Sequence, residues 1–428
     1  MALTADVVVV GAGLAGACAA WAARDAGGSV LVIARAPGAT AVSSGCIDVA
    51  QAEGDLPIGE AATLLSRQPQ HPYGLLGVQL GPAIDAAMTM LQQRLSALGL
   101  RGAAGRNLWL PTPLGKVKPA ALAQGPIALG DLRTLPAGSR LGVVALCGAQ
   151  VLEARLMAKG LHAILGPESS AVVLEVDFYL DREDAQRSLP EIASDLDRPG
   201  RRARLGEALD RAARSQNATH VLVPTVGLLD AMAGHAELAA AAGRPIFELL
   251  GAPPSVPGLR LSRAIEAALD AAGVRRVQGI AERSASGGLQ IVRGTGCEPV
   301  SAKAIVLASG RFLGGGVVAG AGGLLTDSAL GLPAFAGERR KLATLMTEEL
   351  FALKLRGRHA GLAAGLRADH ELRALDEQGR PATAAGSRIF ACGAAIGGHD
   401  AASGDGGLGV CAVTGAFAGA RAAEAARC

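Results

Sequence analysis

Apolar residues near the start of the chain form two short continuous runs, separated by an alanine-rich segment. The runs are DVVVV, residues 6–10, and SVLVIA, residues 29–34. A continuous apolar run of this length is typical of a parallel strand that is buried on both faces. The segment between the runs, residues 13–28, is rich in helix-forming alanine and ends at paired glycines, as helices commonly do. The pattern therefore predicts a βαβ unit.

Strand-like and helix-like segments also follow along the rest of the chain, less regularly than in the first βαβ unit. A βαβ unit followed by further strands and helices favours an α/β fold. A chain of 428 residues exceeds the size at which a single hydrophobic core stops growing, so we expect two domains. The predicted strands lie in residues 140–148, 171–176, 219–227, 275–283, 288–294, 302–310 and 387–398, and the predicted helices in residues 149–160, 180–215, 259–273 and 406–426.

The composition argues against nucleic acid as a partner. Lys and Arg total 41 and Asp and Glu total 38, which gives a formal net charge of +3, and aromatic residues make up 3% of the chain. The protein therefore has neither a strong positive field nor many rings on which bases could stack.

The chain also carries no signal for export or for crossing a membrane. The N-terminal residues lack the features of a signal peptide. No stretch of about 18 apolar residues is without charges or dense glycine, so no segment is expected to span a bilayer. The seven cysteines are scattered and form no Cys-x-x-Cys pair. This pattern fits a reducing cytoplasm and predicts no metal or iron–sulfur site on this chain.

A glycine fingerprint, GAGLAG, lies between the first predicted strand and the first predicted helix. Its glycines are Gly11, Gly13 and Gly16. In such a fingerprint the first glycine permits a tight turn, the second lets the backbone approach a pyrophosphate, and the third lets helix and strand pack closely. The helix N-terminus then presents free N–H groups to the phosphates. The sequence therefore predicts a dinucleotide site.

The residue expected to bind the ribose is missing from this site. In NAD sites an acid about 20 residues after the fingerprint bonds the ribose hydroxyls. Here the second strand ends at Ala34, and Arg35 and a loop of small and hydroxyl residues follow. Two interpretations remain open: Arg35 could meet the 2′-phosphate of NADP, or the loop could contact a flavin.

This loop resembles the flavin-contacting loop of the flavoprotein family that includes fumarate reductase, succinate dehydrogenase and aspartate oxidase. Ser43, Ser44 and Gly45 match the small hydroxyl residues that lie along the flavin in that family, and the neutral Ala34 and basic Arg35 belong to the same match. No histidine lies within the loop, so the resemblance implies a flavin that is held without a covalent link.

Two further segments resemble flavin contacts of the same family. The strand at residues 302–310 would deliver Ser309 and Gly310 to the cofactor. Near the C-terminus, Gly393, Gly406 and Gly407 fall on glycines of the family pattern. A helix that begins at about Gly407 would direct its positive dipole end at the flavin pyrimidine.

Three departures from the family pattern exclude a dicarboxylate substrate. Ala394 replaces the acid that follows the first glycine, Asp400 replaces the substrate histidine, and Gly404 replaces the arginine that holds the dicarboxylate. Without that arginine, the bidentate carboxylate clamp is lost.

A closer resemblance is to the B subunits of anaerobic glycerol-3-phosphate dehydrogenase. It extends over nearly the whole chain, weakens between residues 170 and 215, and includes SSGCID, residues 43–48, and PPSVPG, which is not a general flavin motif. It implies FAD, with FMN as the alternative, and a complex with a flavin-bearing A subunit and an iron–sulfur C subunit. That complex oxidises glycerol 3-phosphate to dihydroxyacetone phosphate and reduces quinone. The chain would be cytoplasmic and held at the inner face of the cell membrane by its partners.

The resemblance also implies a domain arrangement. The fold class is α/β, with a Rossmann-like FAD-binding domain of the glutathione reductase type and an inserted α+β substrate or cap domain. The first domain would comprise residues 1–60, 255–320 and 380–428, and the second residues 61–254 and 321–379.

Candidates for the chemistry of alcohol oxidation are few. His399 is the candidate base, although a solvent-facing turn residue is the competing interpretation. Lys118 and Arg260 are candidate partners of the substrate phosphate, and each is alternatively an ordinary surface or salt-bridge residue. Asp400 could cap the turn or act in the site.

Three functions remain open at this stage. The first is a subunit of anaerobic glycerol-3-phosphate dehydrogenase. The second is a stand-alone FAD-dependent oxidoreductase that acts on another small hydroxy acid or alcohol. The third is a scaffold with a degraded site.

Overall fold

A computed structural model describes residues 2–51, 56–68, 70–102, 105–147, 153–178, 187–338, 340, 359–401 and 403–427. The strands are β1 (Leu3–Val10), β2 (Val30–Ala34), β3 (Cys46–Ile47), β4 (Leu108–Pro111), β5 (Val117–Ala120), β6 (Leu122–Ala123), β7 (Arg140–Leu146), β8 (Ser170–Val176), β9 (His220–Val223), β10 (Ile246–Glu248), β11 (Arg275–Gln278), β12 (Ile280–Arg283), β13 (Leu289–Arg293), β14 (Gly296–Leu307), β15 (Val317–Ala319), β16 (Leu325–Asp327), β17 (Ala334–Phe335), β18 (Gly365–Leu366), β19 (Thr383–Ala384) and β20 (Ser387–Ala391). The α-helices are α1 (Leu14–Asp25), α2 (Ile58–Ser66), α3 (Pro72–Leu76), α4 (Leu80–Arg94), α5 (Gly125–Ala128), α6 (Ala154–Ile164), α7 (Leu189–Leu196), α8 (Arg201–Ser215), α9 (Ala231–Ala242), α10 (Val256–Ala271) and α11 (Leu408–Arg427).

The chain divides into two compact units. The first comprises Met1–Thr40, Asp48–Arg94 and Ile265–Cys428, and the second comprises Ala41–Ile47 and Leu95–Ala264.

The first unit is built on an eight-stranded sheet. Its strand order is β11-β2-β1-β14-β13-β12, with β20 also paired to β14 and β19 paired to β20. The strands β11, β2, β1, β14 and β20 run parallel, whereas β12 and β13 form an antiparallel ribbon on the first half of β14. The predicted βαβ unit of β1, α1 and β2 is confirmed. Its apolar runs are buried because parallel strands at the centre of such a sheet are covered on both faces.

The helices α1 and α11 of the first unit pack so closely that their backbones are in contact. An added Cβ at Gly415 would lie 2.4 Å from the Ala15 oxygen, and one at Gly419 would lie 2.1 Å from the Ala19 oxygen. Glycine is therefore required at both positions.

One helical stretch among the described residues, Pro72–Arg94, is long and apolar enough to cross a membrane by length and composition alone. Within it, Leu80, Ile84, Ala87 and Leu91 are buried, and α4 packs against α11. The buried positions recur every three to four residues, which is typical of an amphipathic helix that covers a core.

The second unit contains a four-stranded parallel sheet in the order β10-β9-β7-β8. A core that includes Leu174, Leu209 and Val221 lies on one side of this sheet, and a core that includes Leu141 and Leu161 lies on the other. The strands β7 and β8 are parallel and are connected through α6, so they form a second βαβ unit. Two helices, α7 and α8, occupy the charged stretch predicted over residues 180–215, of which residues 180–186 lie outside the described part of the chain.

The structural units and the predicted domains have different boundaries. Residues 61–94 and the described residues of 321–379 belong to the first unit, although the sequence-based division places them in the inserted domain. For residues 61–94 the reason is α4, whose apolar face packs against α11. Hydrophobic periodicity predicts such a face but not the element that covers it.

Candidate functional site

The glycine fingerprint forms a tight turn between β1 and α1. Gly11 has φ +114°, and an added Cβ there would lie 2.3 Å from the Ala308 oxygen. An added Cβ at Gly16 would lie 1.9 Å from the Gly11 oxygen. Both positions therefore require glycine, the first for the turn and the second for close packing of the helix on the turn.

A cavity of about 690 Å³ opens at the carboxyl ends of the parallel strands β2, β1 and β14 in the first unit. Its volume lies within the range of small-molecule sites, roughly 300–1,000 Å³. In open parallel sheets, ligands bind at this edge. The cavity is lined by residues 10–15, 33–40, 279–281 and 308–315 and by Val318, Ser328, Ala394, Leu408 and Cys411.

The electrostatics of this cavity favour an anion. Helix α1 begins at the cavity, has no acid in its first turn, and so presents an unopposed positive dipole end. Among the described lining residues the charged side chains are Arg35 and Arg311, and none is acidic. Thr40, absent from the sequence-based site, accepts the Leu14 N–H at 3.0 Å and so caps the helix. A diphosphate suits this combination of helix end and arginines.

Two of the predicted cofactor residues follow β14 and line the cavity. The Ser309 hydroxyl oxygen is buried and has no hydrogen-bond partner among the described residues. An added Cβ at Gly310 would meet nothing within 4 Å, so this backbone faces open space. A buried hydroxyl without a partner calls for a ligand or solvent atom. The residues present therefore fit a dinucleotide cofactor.

The predicted C-terminal glycines, Gly393, Gly406 and Gly407, are not among the described residues that line this cavity. An added Cβ at Gly393 would lie 2.5 Å from the Ala15 Cβ, and one at Gly406 would lie 2.8 Å from the Val49 oxygen. Ala394 and Leu408, which directly follow Gly393 and Gly407 in the chain, line the cavity instead, together with Cys411 of α11.

The N-terminus of α11 carries a partner that sequence reasoning missed. The Asp48 carboxylate accepts the Leu408 N–H at 2.8 Å, and the Asp48 main-chain oxygen accepts the N–H groups of Gly407 and Gly409. This acid offsets the positive helix end that the family pattern predicts near the flavin. The sequence feature that could have indicated this cap is the SSGCID segment, because Asp48 is its last residue.

The predicted hydroxyl loop lies in the second unit, together with Lys118. The Lys118 ammonium donates to the Ser44 hydroxyl at 3.5 Å, and the Ser43 hydroxyl accepts the Gly45 N–H at 3.3 Å. The structure therefore brings two independently predicted candidates, Ser44 and Lys118, together.

The PPSVPG motif holds this loop. The Ser255 hydroxyl donates to the Ser43 oxygen at 2.5 Å and accepts the Gly258 N–H at 2.9 Å. The buried Gln124 amide donates to the Pro257 oxygen at 2.8 Å and lies 3.4 Å from the Gly45 oxygen. The motif thus has a local structural role within the second unit.

Arg260 is buried in an ion pair. Its Nη2 lies 2.5 Å from Glu248 Oε2, and both side chains are almost fully buried. The second oxygen of Glu248 accepts the Val226 N–H at 3.1 Å. This geometry agrees with the interpretation of Arg260 as a salt-bridge residue. The charge of its guanidinium is balanced by Glu248. A phosphate-binding role for Arg260 stays a prediction.

His399 is buried, with 2% of its surface exposed. The expectation of a solvent-facing turn residue is therefore wrong, because the turn folds inward against Gln70 and His71, which precede α3. Burial, with Arg311 and His71 nearby, holds the pKa of His399 well below its ordinary value, so the imidazole is neutral at pH 7. Its Nδ1 has no hydrogen-bond partner among the described residues.

His71 lies beside His399, at a ring-centroid distance of 6.0 Å. His71 Nδ1 accepts the Tyr73 N–H at 3.1 Å and therefore carries no proton. His71 Nε2, 2.9 Å from the Asp405 oxygen, is then the protonated nitrogen of a neutral ring. The pair thus consists of two neutral imidazoles in a buried setting.

Arg311 connects the cavity to the His399 turn. Its guanidinium donates to the main-chain oxygens of His399 at 3.0 Å, Ile396 at 3.2 Å and Leu362. Burial lowers the pKa of Arg311 to about 10, against the opposing effect of Asp400, so the side chain keeps its charge at pH 7. The sequence analysis predicted Ser309 and Gly310 of the SGRFLGGG segment as cofactor contacts. It missed Arg311, which directly follows them.

No group of three or more His, Cys, Asp or Glu side chains that could hold a metal ion occurs in the described ranges. Burial raises the pKa of Cys411, the thiol that lines the cavity, to about 11, so this group is a neutral thiol.

Comparison with known proteins identifies related sequences. The sequence model of the FAD binding domain family matches residues 6–410. The B subunit of the anaerobic glycerol-3-phosphate dehydrogenase of Pectobacterium carotovorum is 32% identical over 330 residues, covering 73% of this chain and 76% of the relative. The probable B subunit of the same enzyme in Halobacterium salinarum is 30% identical over 453 aligned positions, covering 99% of each chain.

Similar solved structures are more distant. The 3-ketosteroid Δ1-dehydrogenase of Sterolibacterium denitrificans has a TM-score of 0.42 and 13% identity, covering 99% of each chain. A single-substitution variant of E. coli quinol fumarate reductase has a TM-score of 0.42 and 12% identity, covering 99% of this chain and 71% of the other.

Proposed function

Because this chain belongs to the FAD-binding domain family, and within it to the anaerobic glycerol-3-phosphate dehydrogenase B subunits, we propose that it binds FAD and takes part in oxidising glycerol 3-phosphate to dihydroxyacetone phosphate. The observation that carries the proposal is the cavity at the strand edge of the first unit. It joins the glycine turn, the α1 N-terminus, the buried Ser309 hydroxyl and two arginines.

The residues that would hold FAD follow from that geometry. The glycine turn would bring backbone N–H groups at the start of α1 to the diphosphate, and Arg35 and Arg311 would balance its charge. The buried Ser309 hydroxyl would be available to hydrogen-bond the cofactor. Bound flavin supplies the two-electron acceptor for alcohol oxidation. We include Gly16, Gly310, Gly393, Gly406 and Gly407 as backbone supports of this site.

The family resemblance supports two further assignments in the second unit. Ser43, Ser44 and Gly45 form a flavin-contacting loop, and Lys118, beside Ser44, binds the substrate phosphate. Arg260 would do the same only if its ion pair with Glu248 opened.

We assign the role of general base to His399. His399 is neutral at pH 7, as a base must be before it accepts the hydroxyl proton, although the burial that lowers its pKa also makes it a weaker base. Its Nδ1 is the atom that would take the proton. Arg311 holds the turn that carries this imidazole.

The relatives named as B subunits suggest the assembly as well. In the proposed complex, a flavin-bearing A subunit and an iron–sulfur C subunit accompany this chain, and electrons pass through them to quinone. The chain would lie in the cytoplasm, at the inner face of the cell membrane, through these partners. The second unit is the proposed inserted substrate or partner domain. Its parallel β10-β9-β7-β8 sheet makes it α/β rather than the expected α+β, because the helices connect parallel strands.

Anaerobic mixing with glycerol 3-phosphate tests the proposal. The purified chain should carry FAD that heating releases, and glycerol 3-phosphate should bleach the flavin absorbance of the chain in its complex. Bleaching by another hydroxy acid or alcohol, but not by glycerol 3-phosphate, would instead favour a stand-alone oxidoreductase. A folded chain that binds no flavin would contradict the proposed function.

A further inference from the structure

A buried carboxylate closes the N-terminus of α11. Asp48 is 3% exposed, and its Oδ1 accepts the Leu408 N–H at 2.8 Å. Its main-chain oxygen accepts the N–H groups of Gly407 at 3.3 Å and Gly409 at 3.2 Å. The N–H groups at the start of a helix have no partner within the helix, so they can bind a ligand unless another group of the protein takes them. Here Asp48 takes three of them.

The start of α11 forms part of the cavity wall in the first unit. Leu408 and Cys411 line the cavity, and the Asp48 carboxylate binds the N–H of Leu408. An added Cβ at Gly407 would lie 3.0 Å from both carboxylate oxygens of Asp48. Helix α11 has no acid in its own first turn, so the negative charge at this helix end comes from Asp48. The carboxylate therefore lies one hydrogen bond away from a residue of the cavity wall.

The charge of Asp48 acts on the cavity wall itself. Burial raises the pKa of the Cys411 thiol to about 11, and Asp48 adds to this rise. A main-chain hydrogen bond at Ala394 and the charge of Arg311 oppose it, and the effect of Asp48 exceeds that of Arg311. A raised thiol pKa means that a negative charge is disfavoured at this position. Asp48 would disfavour a negative charge that develops on a ligand at this wall in the same way.

Building on the proposed FAD site, we propose that Asp48 sets the reduction potential of the bound flavin by lowering its affinity for electrons. Flavin reduction takes up two electrons and a proton at N5, and it leaves a negative charge on the pyrimidine until a second proton follows. A bare helix N-terminus would stabilise that charge, as the family pattern predicts. A carboxylate bonded to the same helix end opposes it. Asp48 thus makes the reduced flavin a stronger reductant, which suits a chain that passes its electrons on.

Equilibrium reduction of the FAD-loaded full chain against a reference dye tests this proposal, with dithionite as the reductant. Asp48→Asn keeps a side-chain oxygen that can accept the Leu408 N–H but removes the charge. Its equilibrium constant for reduction should rise about tenfold, which is about 30 mV for a two-electron couple. Asp48→Ser also leaves an uncharged helix cap and should shift the equilibrium in the same direction.

Sulfite binding is a second measurement, and it needs neither the substrate nor partner subunits. The lone pair of sulfite sulfur forms a bond to N5 of the oxidised flavin, and the electron pair displaced from the N5–C4a double bond leaves a negative charge on the pyrimidine. Absorbance titration should therefore show sulfite binding about tenfold more tightly to Asp48→Asn than to the unsubstituted protein.

Glu60→Gln is the matched control for both measurements. Glu60 is an acid in the first turn of α2 in the same unit, but it is exposed and does not line the cavity. Its removal should change the reduction equilibrium and the sulfite affinity by less than about twofold, because its charge is screened by solvent. Chemical unfolding checks that each variant folds.

The outcomes separate this proposal from the proposed function. If the unsubstituted chain binds no flavin, the FAD site and the role of Asp48 both fail. If it binds FAD but Asp48→Asn and Asp48→Ser leave the reduction equilibrium within twofold of the unsubstituted value, only the role of Asp48 fails. A reduction equilibrium that falls in these variants, or a Glu60→Gln shift as large as theirs, would also overturn it.

Discussion

The guanidinium of Arg311 donates a 3.0 Å hydrogen bond to the main-chain oxygen of His399 and so links the cofactor cavity to the proposed base. The same guanidinium binds the oxygens of Ile396 and Leu362. One buried cation thus organises a turn from three carbonyl groups.

Replacing Arg311 should destabilise the protein. Arg311→Met leaves three carbonyl oxygens without their donor, and we expect a loss of about 3 kcal/mol in the free energy of unfolding. Urea denaturation measures this loss. Arg35→Met is the matched control, because Arg35 lines the same cavity but is exposed, and it should change stability by no more than about 0.5 kcal/mol. Equal losses in the two variants would contradict the role of the buried turn.

Removing the proposed base should slow the chemical step. His399→Asn should lower the rate of flavin reduction by glycerol 3-phosphate by about 10²- to 10⁴-fold, because proton abstraction then lacks a positioned base. Rapid-mixing absorbance measures this rate, and FAD content should stay unchanged. The control is His370→Asn, since His370 is 75% exposed and belongs to the same unit. A normal rate in His399→Asn would remove His399 from the mechanism.

Asp327 should make stability depend on pH. Burial raises its pKa from 3.8 to about 6, against the opposing effect of four backbone N–H groups. The folded protein therefore holds this proton more tightly than the unfolded chain does. Ionisation of Asp327 therefore lowers the free energy of unfolding. This loss is absent below about pH 4, grows as the pH rises to about 6, and then stays near 3 kcal/mol.

The Asp327→Asn variant tests that pH dependence. Its free energy of unfolding should exceed that of the unsubstituted protein by up to about 3 kcal/mol at pH 7 and should match it near pH 4. Asp85→Asn, at an exposed position of the same unit, should show no such difference between the two pH values. A constant offset for Asp327→Asn at both pH values would point to packing rather than ionisation.

The glycines of the fingerprint should separate folding from binding. Gly13→Ala is sterically mild, since the added Cβ would meet only the Thr40 hydroxyl at 3.3 Å. It should keep stability within about 1 kcal/mol but weaken ADP and FAD tenfold or more, because the backbone can no longer approach the phosphates. Gly16→Ala should instead lower the thermal midpoint, because its Cβ would collide with the Gly11 oxygen. Calorimetry and thermal unfolding distinguish the two effects.

Much of the fold could be predicted from the sequence because its signals are local. Apolar runs bounded by glycine indicate β1 and β2, and the Ala/Gly pattern indicates the close packing of Gly415 against α1. The fingerprint is informative for the same reason, since Gly11 and Gly16 serve steric needs that are set within a few residues.

The remaining features depend on contacts between distant segments. His399 and Arg311 lie 88 residues apart, and Asp48 and Leu408 lie 360 residues apart. Neither the burial of an imidazole nor the cap of a helix by a far carboxylate leaves a periodic trace in the sequence. The ion pair of Arg260 could not be predicted from the sequence either, because its partner Glu248 is recognisable only in the folded structure.

The order of synthesis also matters for the first unit. Its sheet needs β20 beside β14, and its helix α1 needs α11, so residues near 390 and 415 must exist before residues 1–40 are enclosed. Translation proceeds at roughly 5–20 residues per second, so about 20–70 s pass between the synthesis of β1 and β2 and the synthesis of these partners. The second unit is nearly continuous in the chain and can form during that interval. A ribosome-bound chain therefore completes its flavin-binding unit only after residues near 415 have been synthesised.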